Sequence, residues 1–167
     1  MRSLILVRHA KAVPAGVGAS DVERALHARG VAQCAQLRRR VSDPDDLGRY
    51  GPTLALVSAA ARTRETFELA FAGTSFVDDV TYSPAIYNGQ RDVSADDLLA
   101  ALAAIDTLER SLLVVAHNPS VAELLWALTG EVLRDGYPTA GLCVIGLHGA
   151  GRVDECAYEL VERVVPD

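Results

Sequence analysis

Three short apolar runs constrain the fold of this chain more than any other feature. They are Leu4-Ile5-Leu6-Val7, Leu54-Ala55-Leu56-Val57 and Leu112-Leu113-Val114-Val115-Ala116. Each reads as a strand, and stretches with helical periodicity lie between them, so the chain alternates strand and helix. Arg8-His9 directly follows the first run, Arg62 lies just beyond the second, and His117 follows the third. Open parallel sheets bind ligands in the crevice at the carboxyl ends of their strands. If the three strands are parallel neighbours, two histidines and two arginines meet in one pocket. Such a pocket suits a phosphoryl group.

A chain of 167 residues fits one domain, taken here as 1–167, with a sizeable core. The formal net charge of -6 argues against a general nucleic-acid surface, which needs excess Lys and Arg. A basic pocket in an acidic protein is therefore a local feature. No segment reads as a signal peptide, and the apolar runs fall far short of the roughly 20 residues that cross a bilayer. The expectation is a cytoplasmic protein with neither a membrane nor a nucleic-acid partner. Cys34, Cys143 and Cys156 lack metal-ligand spacing and are read as reduced, buried thiols. A hairpin would allow Cys143 and Cys156 to face each other, but nothing requires a bond.

Between the strands, residues 26–41 read as a helix with Val31, Cys34 or Ala35, and Leu37 facing the core. Arg38, Arg39 and Arg40 at its end suit the helix dipole. A second helix spans 62–70, a short strand 76–82 and a loop 83–92. Ser94-x-x-Asp97 opens a helix whose buried stripe is Leu98, Leu102, Ile105 and Leu108. In His117-Asn118-Pro119-Ser120, Asn118 reads as the N-cap and Pro119 as the first helical residue, with Gly130 as terminator. Strands at 141–147 and 152–160 close the chain as an antiparallel hairpin. His27 and His148 read as a helix-start and a turn residue.

Several blocks together resemble the histidine phosphatase superfamily, the fold of phosphoglycerate mutases and many small phosphatases. Leu6-Val7-Arg8-His9-Ala10-Lys11 resembles its signature, and Asp21-x-x-Arg24-x-Leu26-x-x-x-Gly30 the next block of its small, SixA-type members. Ser58-Ala59-Ala60-Ala61-Arg62-Thr63-x-Glu65-Thr66 resembles the block of the second arginine. Val114-Val115-Ala116-His117-Asn118-Pro119 resembles that of the second histidine, and Pro138-Thr139 a later loop. The resemblance implies an α/β fold: three layers, α/β/α, around a mostly parallel mixed sheet with the C-terminal hairpin, and no large cap insertion. It also implies catalysis by His9 as nucleophile, with Arg8 and Arg62 clamping the phosphoryl oxygens and His117 donating to them. The other ring nitrogen of His9 should donate to a backbone carbonyl. No metal and no cofactor are expected. Arg24, Lys11 and Thr139 are weaker candidates for phosphate or substrate binding. Arg24 could equally pair with Asp21 or Glu23, and Lys11 could be merely solvated.

One departure from the larger relatives matters. They carry a carboxylic acid that protonates the leaving oxygen, and in one branch it directly follows the second histidine. Asn118 stands there instead, and the 83–92 loop has no Glu, leaving Asp21, Glu23 and Asp92 as possible donors. Proton transfer contributes on the order of a hundredfold or more, so an alkoxide is a poor leaving group without it. A phosphoramidate nitrogen can take its proton from solvent. The expected partner is therefore a protein carrying phosphohistidine. A small phosphate ester, or binding of phosphate without catalysis, are the alternatives.

Overall fold

The computed structural model describes residues 1–16, 20–89 and 91–167; part of the loop expected over 83–92 therefore lies outside the described residues. The chain runs β1 (Ser3–Arg8), α1 (Ala28–Ser42), β2 (Thr53–Ser58), α2 (Ala61–Ala70), β3 (Val77–Ser83), α3 (Ala95–Ile105), β4 (Ser111–Ala116), α4 (Ser120–Thr129), β5 (Leu142–His148) and β6 (Ala157–Val164). The strands form one sheet in the order β3-β2-β4-β1-β5-β6. β1, β2, β3 and β4 pair in parallel, whereas β5 and β6 are antiparallel additions. The result is the expected α/β class with a mostly parallel, mixed sheet.

Side chains alternate between the faces of a strand, and the core divides accordingly. Ile5 and Val7 of β1 and Leu113 and Val115 of β4 pack with Cys34 and Leu37 of α1 and Phe67 of α2. Leu4, Leu6, Leu112 and Val114 pack on the other face with Leu98 and Leu102 of α3 and Leu124 of α4. Helices therefore cover both sides of the central strands, which explains why those strands are apolar without interruption. This division also makes the crevice. Neighbouring β1 and β4 send their following helices to opposite faces, so the chain diverges just past their carboxyl ends.

Four expectations need correction. Val31 is 46% exposed. The inward face of α1 is Gly30, Gln33, Cys34, Leu37 and Val41, with Val31 turned away. Leu108 is also exposed, because α3 ends at Ile105 and the chain turns back through Leu108 at φ 68. β6 begins at Ala157, since Val153 is drawn inward by its N–H bond to the buried Asp106 carboxylate and 153–155 form a single 3-10 turn. Finally, Asn118 does not cap α4; Pro119 holds that position and the Asn118–Pro119 peptide is cis. The Asn118 side chain instead donates to the Tyr137 carbonyl at 3.1 Å. Gly130 terminates α4 as expected, at φ 73. All three cysteines are free and buried; Cys143 lies opposite Arg163, so it does not face Cys156. Among the described residues no helix is long and apolar enough to cross a membrane.

Candidate active site

The parallel register places Arg8 opposite Ala116, so the next residues, His9 and His117, emerge side by side. The His9 N–H donates to the Ala116 carbonyl at 3.0 Å. The two imidazoles are 5.4 Å apart between centroids and both are buried. His9 Nδ1 lies 2.8 Å from the Ala10 carbonyl. A carbonyl can only accept, so Nδ1 carries the hydrogen and Nε2 keeps its lone pair. Burial, reinforced by Arg62, Arg8 and Arg24 and partly opposed by the Ala10 hydrogen bond, lowers the His9 pKa to about 4. Burial first, then His9 and Arg62, lowers that of His117 to about 3. Both rings are neutral near pH 7.

Arg62 and Arg8 lie near enough to His9 for their charges to help lower its pKa, and Arg62 acts likewise on His117. Arg8 Nη1 donates to the Tyr137 carbonyl at 2.8 Å, the same oxygen that receives Asn118. Arg62, the second residue of α2, is buried and forks onto Asp21, with Nη1 on its carbonyl at 2.9 Å and Nη2 on its carboxylate at 3.1 Å. That carboxylate also accepts from the Tyr87 hydroxyl at 2.5 Å and from Arg24 Nε at 2.9 Å. Tyr87 foremost, with the two arginines, lowers the Asp21 pKa to about 2. Asp21, Arg24, Arg62, Tyr87 and Asn88 line an open cleft of about 630 Å³. Arg8 Nε, Arg62 Nε and His117 Nδ1 are buried without a partner among the described residues. Unpaired buried polar atoms cost roughly 1–3 kcal/mol each, and a tetrahedral oxyanion could pair with such nitrogens.

The loop after His9 is braced from three sides. The Ala10 N–H donates to Thr66 Oγ1 of α2, whose hydroxyl in turn donates to the Arg62 carbonyl. Gln33 of α1 accepts from the Lys11 N–H and donates to Thr139 Oγ1. The Ala140 N–H donates to the His9 carbonyl at 3.0 Å, with Ala140 held at φ 55.

Arg8, His9, Arg62 and His117 thus gather at the carboxyl ends of β1, β2 and β4. Arg24 joins them at the mouth, through Asp21 and through the Val13 carbonyl. The Lys11 side chain is exposed, and the Thr139 hydroxyl is engaged by Gln33. Asp21 pairs with Arg24, one of the two roles the sequence leaves open for that arginine, and it also holds Arg62. Sequence reasoning misses Tyr87, Gln33 and the side-chain role of Ser58. A polar Gln33 on the buried stripe of α1 was a readable signal; the isolated loop residue Tyr87 carried none.

No protein-family model and no curated protein sequence matches the chain. Solved structures do. A protein of Agrobacterium tumefaciens named phosphohistidine phosphatase SixA is 30% identical, covers 99% of each chain and superposes with a TM-score of 0.78. One of the same name from Nakamurella multipartitia is 25% identical over 99% of this chain and 96% of its own, with a TM-score of 0.76. The mycobacterial glucosyl-3-phosphoglycerate phosphatase shares the fold at 16% identity, covering 96% of this chain and 97% of its own, with a TM-score of 0.66. A 30% identity sustained over nearly the full length of both proteins, on top of the shared fold, makes this chain a member of the histidine phosphatase superfamily and a phosphatase of its SixA-like branch.

Proposed function

We propose that the protein, as one catalytic domain without a cap, removes phosphate from phosphohistidine on a partner protein in the cytoplasm, in two displacements through His9. The observation that carries this reading is the His9 imidazole: neutral, with its hydrogen tied to Ala10 and Nε2 free, 5.4 Å from a second neutral imidazole. In the first step the Nε2 lone pair attacks phosphorus and the substrate P–N bond breaks. The departing imidazole keeps the bonding electrons and takes a proton from solvent. In the second step water attacks the phosphorus on His9, the P–Nε2 bond breaks and inorganic phosphate leaves. Arg8 and Arg62 neutralise the equatorial oxygens, and His117 donates a hydrogen bond as charge develops. These four side chains supply the neutralisation without a cofactor.

Asp21 bears on the substrate class. With a pKa of about 2 it is ionised near pH 7 and cannot deliver a proton to a leaving oxygen. Glu23 and Asp92 are exposed on the surface. A leaving imidazole that solvent can protonate suits this site better than an alkoxide, and the open cleft suits a side chain presented by a protein. Arg24, already engaged by Asp21 and Val13, is a substrate contact only if it exchanges partners.

The test is a panel comparing a phosphohistidine protein with sugar and metabolite monoesters, together with rapid-quench trapping. Base-stable, acid-labile phosphate on His9 and a higher kcat/KM on the phosphohistidine protein are expected. Higher kcat/KM on monoesters makes the protein a small-ester phosphatase, and absence of both label and turnover makes it a phosphate-binding module. His9→Ala abolishes turnover, whereas Arg62→Ala leaves weak activity.

A further inference from the structure

Ser58, the last residue of β2, is fully buried and sits beside His117 at the end of the neighbouring parallel strand. Its Oγ lies 2.7 Å from His117 Nε2. A hydroxyl brings one hydrogen that must be given to an acceptor, and a buried hydroxyl has no solvent to use. Among the described residues, Nε2 is the sole partner of Ser58 Oγ. The Thr63 hydroxyl does not compete, because it donates to the Ser58 carbonyl. The hydrogen of Ser58 therefore goes to Nε2, which must then be the bare nitrogen of the ring. His117 Nδ1 is the ring atom that is buried without a partner.

We propose that Ser58 is a positioning residue that donates to Nε2 of His117 and so confines the single ring hydrogen to Nδ1, the nitrogen left to donate to the phosphoryl group. A neutral imidazole has one N–H, and the opposite tautomer would turn a lone pair toward the oxyanion. The low pKa of His117 agrees with this, because a charged ring would need no tautomer choice. The inference rests on the proposed role of His117 as a donor to the transferring group. It adds that this role is set by β2, the strand that leads into Arg62. A serine two strands away from the nucleophile thus acts on the chemistry without touching substrate.

The experiment is nitrogen-15 NMR of the His117 imidazole near neutral pH, in the wild type, Ser58→Ala and Ser58→Thr, alongside steady-state kinetics. The wild-type ring should be protonated at Nδ1. In Ser58→Ala the hydrogen should shift toward Nε2 while kcat falls about ten- to a hundredfold, less than the roughly hundred- to thousandfold lost when an oxyanion donor is removed outright, with KM little changed. Ser58→Thr, which keeps a hydroxyl, should restore both the tautomer and part of kcat. A wild-type ring protonated at Nε2, or a Ser58→Ala variant whose tautomer or kcat does not move, overturns the proposal. Absence of phosphate on His9 in the wild type would instead refute the phosphatase mechanism and leave the tautomer measurement standing.

Discussion

Asp21 holds Arg62 twice, by its backbone carbonyl at 2.9 Å and by its carboxylate at 3.1 Å. Both terminal nitrogens of the guanidinium are engaged on this far edge, and Nε is left unpaired and buried. The acid therefore sets the rotation of the arginine while Tyr87 and Arg24 hold the acid itself.

Replacing Asp21 tests this arrangement, because two effects of opposite sign can be separated. Removing a carboxylate from the mouth increases attraction for an anionic substrate, but a charge acting through solvent is worth about 1 kcal/mol at most, a few-fold in binding. Loss of orientation at a reacting centre costs on the order of a hundredfold. Asp21→Ala should therefore tighten inhibition by inorganic phosphate slightly while lowering kcat by at least about tenfold. Tyr87→Phe, which removes one of the hydrogen bonds to Asp21, should lower kcat less. Equal kcat in Asp21→Ala and wild type would show that the backbone carbonyl of residue 21, which the substitution leaves in place, is enough to orient Arg62.

The pH dependence of stability follows from the depressed His9 pKa. The ordinary value is 6.5 and the folded value about 4. As pH falls through that window the unfolded chain binds a proton that the folded site refuses, so stability falls with pH. The loss is complete below about 4 and amounts to roughly 3 kcal/mol, at about 1.4 kcal/mol per pKa unit. Urea midpoints of the wild type should drop more steeply between these pH values than those of His9→Gln, which has no imidazole at that position. Parallel curves would mean that His9 titrates near its ordinary value. The nucleophile itself should remain neutral, with no loss of kcat/KM from its protonation, well below the pH at which an ordinary histidine charges.

Legibility in the sequence followed the range of the interactions. β1 and β4 are buried on both faces, so their apolar runs announced them, and the residues just past their ends had to share the crevice. Gly130 is a local terminator and was equally readable. Asn118 has the local chemistry of a cap, yet the Tyr137 carbonyl, 19 residues on, captured its side chain. Val31 and Leu108 fit the periodicity but were displaced, one by the Gln33 face of α1 and one by the early end of α3. The Asp21–Arg62 link joins residues 41 positions apart, and Ser58 reaches His117 across 59. No periodicity encodes such pairs; they follow only once the strand order is known.

Far from the site, Asp106 offers a test of stability separated from activity. Its carboxylate is buried and pairs with Arg2 at 2.5 Å, while also accepting the N–H groups of Val153 and Leu108. Truncation strands the Arg2 charge and two backbone donors, and breaking a buried pair costs about 3–5 kcal/mol. Asp106→Ala should lower the unfolding free energy by about that amount and leave kcat/KM unchanged at temperatures where it remains folded. A drop in kcat/KM in folded protein would mean that the turn at Val153 communicates with the crevice.

Gly30 connects helix packing to the loop after His9. A β-carbon at this position would lie 2.1 Å from the Lys11 carbonyl oxygen and 3.0 Å from the Lys11 backbone nitrogen. The obstructing atoms are backbone, and the same carbonyl accepts the His27 N–H at 2.8 Å while the Lys11 N–H is held by Gln33. Neither partner can yield without moving α1 or the loop. Overpacking of this kind costs typically about 1–3 kcal/mol, and here the shift is passed to Ala10, whose carbonyl fixes the His9 tautomer. Gly30→Ala should therefore lose stability and kcat together, while Val31→Ala on the neighbouring exposed position should change neither appreciably. Unfolding curves and kcat measured on both variants decide it: an unaltered kcat in Gly30→Ala would show that the His9 loop is held by Thr66 and Ala140 alone.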